Sequence, residues 1–147
     1  MKRALLIIAA AILALAIAAC EKEPEARARS TVLDFVKELR SEGTIELDNY
    51  LILNELVREN AENVYTYNDS LSVSENIEQF RELFEPNGRV RRLWTQKQII
   101  VGESEVLGDT AYVEVSFIDR EERRQFYNKM GLKRTDEGWK IFAFKLL

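Results

Sequence analysis

Histidine is absent from this chain of 147 residues, which contains one cysteine and two prolines. Histidine is the commonest general base, the usual partner of a catalytic serine or cysteine, and a frequent zinc ligand. Its absence excludes Ser-His and Cys-His hydrolases and histidine-ligated zinc sites. A single cysteine excludes a disulfide within the chain, so the fold depends on packing alone. An enzyme built from this sequence would have to use carboxylates, tyrosines and lysines.

The chain also has no excess of positive charge. Acidic residues outnumber basic ones and the formal net charge is −4. A nucleic-acid partner requires clustered positive charge, so none is expected. The length suits one domain with its own hydrophobic core.

The only long apolar run lies at the start of the sequence. Lys2 and Arg3 precede the segment from Ala4 to Ala19, which has no polar side chain. By length alone the segment suits either a short membrane span, which needs roughly 20 residues, or the apolar part of a secretory signal. The small residues at its end favour a signal peptide.

The junction Ile17-Ala18-Ala19-Cys20 resembles the lipobox of bacterial lipoprotein signal peptides. The resemblance implies diacylglycerol on the Cys20 sulfur, cleavage between Ala19 and Cys20, and a further fatty acyl chain such as palmitate on the new amino terminus. Two or more acyl chains hold a protein on a membrane, whereas one chain binds only marginally. The alternative is an uncleaved apolar anchor with an incidental cysteine.

This resemblance predicts the domain organisation and the location. Residues 1–19 form the signal peptide, residues 20–29 a charged lipidated tether containing Pro24, and residues 30–147 one domain. The domain is expected in the cell envelope, in the periplasm of a cell with two membranes. Glu21 is not the aspartate that retains such lipoproteins at the inner membrane, so the outer membrane is expected.

Apolar residues at helical spacing predict helices in the first half of the domain. The first helix is expected from Ser30 or Thr31, and helix propensity from Ala26 to Arg29 allows an earlier start. A second helical region ends near Val64. Ser72 and Glu75 have the spacing of a capping box and predict the start of a third helix, which ends at Pro86.

After Gly88 the apolar period changes to two, which predicts strands separated by turns. Gly102 is expected to bend the first strand. The predicted strands are Val90–Leu107, Thr110–Ile118, Arg124–Thr135 and Trp139–Leu146.

This order of elements is similar to the cystatin-like cone fold of the nuclear-transport-factor-2-like superfamily, and to its small secreted lipoproteins. The stretches that carry the resemblance are "VLDFVKEL", "LGDTAYVEVSF" and "DEGWKIFAF". The resemblance implies an α+β fold, with N-terminal helices packed on a curved antiparallel sheet of about four strands. The segment from residue 45 to residue 74 departs from the family pattern.

The superfamily uses the space between sheet and helices as a pocket, and its members include dehydratases, isomerases and binding proteins. Fold alone therefore does not decide function. A catalytic version without histidine would pair a carboxylate with a tyrosine, and no spacing singles out a pair. The candidates are Asp48, Tyr50, Tyr65, Tyr67 and Tyr112. No cofactor or metal is predicted. The candidate pocket residues are Tyr50, Trp94, Tyr112, Trp139, Phe142 and Phe144.

A cluster of basic residues surrounds Trp94. Its members are Arg89, Arg91, Arg92 and Lys97. They predict either an anion or acidic-partner site, with an arginine stacked on the indole, or a solvated strand face whose charges discourage edge pairing.

Three functions remain open at this point. The first is a non-catalytic, lipid-anchored envelope protein that binds a small apolar ligand or another envelope protein. The alternative is an inhibitor or immunity-type protein that neutralises a toxin or hydrolase in the envelope. The third is a histidine-free dehydratase or isomerase.

Overall fold

A layer of helices covers one face of an antiparallel sheet in the computed structural model, which describes residues 23–146. Helix α1 spans residues 23–39, and a 3₁₀ turn follows at Leu47–Asn49. The remaining helices are α2 (Leu53–Glu55, continued by a π turn at Leu56–Asn60), α3 (Val73–Glu82) and α4 (Arg89–Thr95).

The sheet is a four-stranded meander in the order β1-β2-β3-β4. Neighbouring strands are antiparallel throughout. The predicted α+β fold with helices packed on a four-stranded sheet is confirmed. The strands are β1 (Gln98–Leu107), β2 (Thr110–Asp119), β3 (Arg124–Thr135) and β4 (Gly138–Leu146).

The meander gives the sheet two different ends. The hairpin end carries the β2–β3 turn at residues 120–123, and the paired-turn end carries the β1–β2 turn and the β3–β4 turn. Gly108 and Gly138 of the paired-turn end have φ angles of 65° and 112°, which glycine adopts without the strain of a Cβ.

Two bulges shape the sheet. The β1–β2 register shifts between Val101 and Ser104, so the expected bend at Gly102 is present. A second shift, opposite Gly131 and Leu132, inserts an extra residue into β4. Strict alternation predicted Ile141 and Phe144 on opposite faces of β4. The bulge reverses the phase, and both side chains are buried in the core.

Helix α1 takes the earlier of the two starts that the sequence allows, and it extends further still. The chain is helical from residue 23, ahead of the expected start at Ser30 or Thr31, and Ala28 is fully buried. Thr31 lies inside the helix, where its hydroxyl donates to the Arg27 carbonyl. The charged residues before Ser30 concealed the helix because only one of its positions there is apolar and buried.

The predicted tether of residues 20–29 is therefore folded from residue 23 onward. Ser104 Oγ on β1 donates to the Glu25 carbonyl at 2.9 Å, which holds the beginning of α1 against the sheet. The predicted signal peptide and Cys20 lie outside the described residues.

Helix α4 replaces the first part of a predicted strand. The sequence predicted a strand from Val90, but Arg89–Thr95 is helical and β1 begins at Gln98. Gly88 makes this possible, because a Cβ there would lie 2.3 Å from the Leu83 carbonyl oxygen. That carbonyl accepts from the Val90 and Arg91 amides, so α4 starts against the end of α3.

A chain of aromatic rings fills the space between helices and sheet. Phe80 and Phe84 of the α3 region lie 5.1 Å apart between ring centroids, and Phe84 lies 5.8 Å from Trp94. Phe35 of α1 stacks on Phe144 of β4 at 6.4 Å. The interior of the predicted cone is thus occupied by the protein's own side chains.

Main-chain groups of both outer strands have partners outside the sheet, a side chain on β1 and main chain on β4. Along β1, the Arg29 guanidinium donates to the Val101 and Gly102 carbonyls at 3.0 and 2.8 Å. Along β4, Ile141 exchanges hydrogen bonds with the Tyr50 carbonyl at 2.7 Å and the Ile52 amide at 2.8 Å. A second parallel bridge joins residues 61 and 144.

Candidate functional site

An apolar pocket opens at the hairpin end, between the inner face of the sheet and the helical layer. We call it the concave-end pocket, and its volume is 220 Å³. Its apolar lining consists of Val64, Trp94, Phe117, Phe126, Met130 and Phe144. Its polar lining consists of Glu62, Asn63, Lys97 and Asn128.

Strand register and a short helix bring the pocket walls together. Phe117 and Phe126 are directly paired across β2 and β3, so their rings share the inner face. Trp94 of α4 lies 5.0 Å from Phe117 and 5.5 Å from Phe144 between ring centroids. Met130 closes the floor and is buried.

Phe126 and Lys97 form one side of the pocket mouth. The Phe126 ring is 42% exposed, and Lys97 Nζ lies 5.2 Å from its centroid. Lys97 Nζ also donates to Asp119 Oδ2 at 3.0 Å. The ammonium is therefore held by the protein, and the ring remains the exposed apolar part of the mouth.

The carboxylate of Asp119 is fixed from two directions. Its Oδ1 accepts from the amides of Glu121 and Glu122, each at 3.0 Å. The Glu122 amide first, and the Lys97 ammonium second, hold the pKa of Asp119 below its usual value. Asp119 thereby orders the β2–β3 turn beside the pocket.

Most of the exposed large apolar side chains lie in the hairpin half of the domain or on α4, and one of them, Phe126, lines the pocket. Six large hydrophobic side chains are exposed among the described residues, and only Leu33 and Leu107 lie away from the hairpin end or from α4. Ile100 and Tyr127 both pair with Ser116 and lie on the outer face beside the hairpin end. The other two are Phe126 and Leu93 of α4.

The six predicted pocket residues do not share one site. Trp94 and Phe144 line the concave-end pocket. Tyr50 packs on Phe35 beside α1, at 5.7 Å between ring centroids. Burial, and then the charges of nearby carboxylates, raise the pKa of the Tyr50 hydroxyl.

The other three predicted pocket residues lie on the outer face or at the far end. Tyr112 lies on the outer face beside Gly131. Phe142, the extra residue of the β4 bulge, covers Gly131 there, with Lys133 Nζ 4.8 Å from its centroid. Trp139 is buried at the paired-turn end.

The predicted basic cluster is dispersed because its three arginines lie on α4, and Lys97 in the connection to β1, instead of on one strand face. Arg89 donates to the Val64 carbonyl at 3.1 Å. Arg91 is buried and donates from Nε to the Leu39 carbonyl at 3.0 Å. Lys97 is held by Asp119, while Arg92 is exposed, so the four do not form one patch.

The predicted acid–base candidates do not meet in the pocket. Asp48 is exposed and accepts from Arg81 Nη2 at 2.7 Å. The Tyr65 hydroxyl donates to Asn76 Oδ1 at 2.7 Å, and burial raises its pKa. Within residues 23–146, no group of three or more acidic, cysteine or histidine residues is placed to hold a metal ion.

Among residues 23–146, no helix has both the length and the apolar character needed to cross a lipid bilayer.

Comparison with known proteins gives only distant structural likeness. No protein-family model and no curated protein matches the chain. Two solved structures of the type VI effector–immunity complex Tae3–Tai3 from Ralstonia pickettii each contain a similar chain. The selenomethionine form is 22% identical, covering 84% of this chain and 96% of that one, with a TM-score of 0.41. The native form is 21% identical, covering 82% and 92%, with a TM-score of 0.42.

Identities and TM-scores this low carry no argument about function. The resemblance to the cystatin-like cone superfamily also stays a prediction.

Sequence reasoning missed several pocket residues. Phe117 and Phe126 lie in predicted strands with the observed boundaries or close to them, but strand pattern does not show where the helical layer ends. Their cross-strand pairing was the available signal, since a short β2–β3 turn places residues 117 and 126 opposite each other. The helical pattern predicts the end of a helix at Val64, which lies in a turn in the structure.

Proposed function

We propose that this chain is a lipid-anchored envelope protein that binds another protein by taking one of its apolar side chains into the concave-end pocket. Catalysis is not part of its function. The anchor rests on the lipobox resemblance at Cys20, and the binding surface rests on the pocket and its surroundings. Intact mass of the membrane-extracted protein tests the anchor, since acylation and cleavage change it by defined amounts.

The size of the pocket supports a side chain as its occupant. Pockets for drug-sized ligands measure roughly 300–1,000 Å³, and a cavity of about 150 Å³ holds one benzene ring. At 220 Å³ the concave-end pocket matches one aromatic or large aliphatic side chain. The rings of Phe35, Phe84 and Phe144 occupy the space that a larger ligand would need.

Exposed apolar side chains in the hairpin half of the domain carry the proposal. Phe126 lies at the pocket mouth, Leu93 on α4, and Ile100 and Tyr127 on the outer face of the sheet. Leu93, Ile100, Phe126 and Tyr127 are each more than 40% exposed. An isolated small-ligand site needs no such surroundings, whereas a protein interface combines a central pocket with further apolar contacts. Aromatic residues are enriched among those that dominate binding energy.

The pocket chemistry fits binding and not turnover. Among its described lining residues the ionisable side chains are Glu62 and Lys97, and Lys97 is held by Asp119. The buried polar side chains of the described region are Asn76 and Arg91, and both hydrogen-bond to other parts of the protein. A general acid or base needs a group free to exchange its proton with a substrate.

An inhibitor or immunity-type protein is the more specific form of this proposal, since such a protein presents a preformed surface to one partner. A carrier of a small apolar molecule is the competing function, and it predicts a different occupant of the same pocket.

The occupant can be tested with small probes. In a Trp139→Phe background, Trp94 becomes the only tryptophan and reports on the pocket. We expect p-cresol, the side chain of tyrosine, to change Trp94 fluorescence saturably, and palmitate to have no such effect. Asn128→Phe fills the pocket and should abolish the response, while Gln125→Phe, on the outer face of the same strand, should preserve it.

The partner can be tested by photo-cross-linking in the native envelope. A benzophenone side chain at position 126 should give one discrete protein adduct, lost in Asn128→Phe and absent when the label is at position 33. The purified adduct partner should bind the domain with a negative heat-capacity change. Tight palmitate binding that Asn128→Phe blocks would instead establish a small-ligand carrier.

A further inference from the structure

The direction of α1 fixes which end of the domain lies near residue 20. Near its start, the Glu25 carbonyl accepts from Ser104, close to the end of β1. Near its end, Arg40 Nη2 donates to the Lys97 carbonyl, just before β1 begins. Helix α1 is therefore antiparallel to β1 and runs from the paired-turn end to the hairpin end.

The start of α1 lies against the β3–β4 turn. Glu23, Pro24 and Arg27 share a surface cleft with Gly138 and Trp139. Residue 20 is separated from residue 23 by two residues, so the two Cα atoms lie at most about 10 Å apart in any conformation. An acyl chain on Cys20 therefore leaves the domain through the paired-turn end.

The concave-end pocket lies at the other end of the same rigid layer. Residues 23–39 rise about 25 Å as an α-helix. The ten residues of β1, which runs antiparallel to α1, extend about 33 Å along the same axis. A tether with a reach of about 10 Å cannot reverse this arrangement.

Two side chains at the paired-turn end suit a phospholipid surface, and they lie beside the exposed carboxylates of Asp109, Asp136 and Glu137. Leu107, at the end of β1, is 59% exposed, the largest exposure among the large hydrophobic side chains described. Arg134 on β3 is exposed, and its guanidinium has no hydrogen-bond or ion-pair partner within residues 23–146. A guanidinium binds phosphate through two parallel hydrogen bonds, and an exposed leucine enters the headgroup region.

We propose that the acylated protein rests on the lipid surface through its paired-turn end, with Leu107 and Arg134 in contact with the headgroups and the concave-end pocket directed away from the bilayer. This inference rests on the proposed acylation of Cys20. It deepens the proposed function, because a pocket that faces the aqueous compartment receives its partner from water and not from the lipid phase.

The chain itself supplies a clean labelling strategy. Cys20 is its only cysteine, so acylation leaves no free thiol and any introduced cysteine is unique. Asp136 lies in the β3–β4 turn and Glu121 in the β2–β3 turn. A fluorophore on Asp136→Cys therefore labels the paired-turn end, and one on Glu121→Cys labels the hairpin end. Both positions are exposed.

The experiment uses the full acylated protein in vesicles of phosphatidylethanolamine and phosphatidylglycerol that contain a headgroup-attached quencher. We expect the label at position 136 to lose most of its emission and the label at position 121 to retain it. Leu107→Ser with Arg134→Ser should restore emission at position 136 while the protein stays in the vesicle fraction. In the Cys20→Ser protein neither label should be quenched.

The outcomes separate the orientation from the anchor. Intact mass showing Cys20 unmodified overturns the anchor and the orientation together. An acylated protein whose label at position 121 is quenched as strongly as that at position 136 overturns the orientation alone. Unchanged quenching in the Leu107→Ser, Arg134→Ser protein overturns the headgroup contacts.

Discussion

Arg91 is the one charged side chain that the described residues bury, and it joins the ends of two helices. Its guanidinium donates to the Leu39 carbonyl at the end of α1 and, at 3.5 Å, to the Phe84 carbonyl just beyond α3. A third bond reaches the Ser41 carbonyl. The last carbonyls of a helix lack intrahelical partners and carry partial negative charge. A guanidinium there donates hydrogen bonds to these carbonyls and interacts favourably with their charge.

Replacing this arginine should destabilise the fold strongly. Arg91→Ala leaves buried carbonyls without donors and removes a packed side chain, so we expect a loss of about 2–4 kcal/mol in the free energy of unfolding. Arg92→Ala, at the exposed neighbouring position, should change it by about 0.5 kcal/mol or less. Urea denaturation of both variants measures the difference, and equal losses would contradict the helix-joining role.

Asp119 makes stability depend on pH in a definite direction. Its pKa in the folded state lies below the ordinary value, so folding favours the charged carboxylate. The stability it contributes is complete above the ordinary pKa of about 3.9 and is lost as pH falls toward the lower folded value.

Asp119→Asn should remove this part of the pH dependence. We expect the variant to be less stable than the wild type at about pH 6, and the gap to narrow at about pH 3. Urea unfolding at both pH values gives the two gaps. Asp136→Asn, in the exposed β3–β4 turn, is the control for removing a surface carboxylate. If the difference in free energy of unfolding between the wild type and Asp119→Asn grows as the pH falls, the predicted direction is wrong.

At the scale of elements, α1 is both a core helix and a cover for the edge of the sheet. Ala28 packs against the core, while Arg29 satisfies two carbonyls of β1. The residues before Ser30 thus belong to the fold, although their composition resembles a linker.

Removing the first turns of α1 should therefore cost stability. A chain that begins at Thr31 should unfold about 2–3 kcal/mol more easily than one that begins at Glu21, because it loses the burial of Ala28 and the hydrogen bonds to β1. Thermal unfolding of the two chains measures this. Equal stability of the two chains would show that residues 23–29 act as a tether and not as part of the fold. Arg27→Ala, at an exposed position of the same helical turns, controls for general effects on the helix.

Elements with local signals were predictable from the sequence, and those set by tertiary contacts were not. The Ser72–Glu75 capping box is present, with the Ser72 amide donating to the Glu75 carboxylate at 2.8 Å. Period-two alternation and turn residues also fixed β2 and β3. Helix α4 was missed because its sequence alternates like a strand, and only the close approach of Gly88 to α3 makes it helical.

At the scale of the whole molecule, the position of the pocket depends on where the helical layer ends along the sheet. The sequence identified Trp94 and Phe144 as candidates but grouped them with Tyr112 and Phe142, which lie on the other face. One extra residue in β4 caused part of this error, since a bulge moves every later side chain to the opposite face. The sequence of one strand or one helix, read alone, shows neither where a bulge falls nor where the helical layer ends.

The coverage of both outer strands has a consequence for crowding. Arg29 occupies two carbonyls of β1, and the segment around Ile52 pairs with Ile141 of β4, so part of each outer strand is already hydrogen-bonded within the protein. On a surface densely populated with these molecules, neighbouring copies therefore meet less free strand edge than two bare outer strands would present.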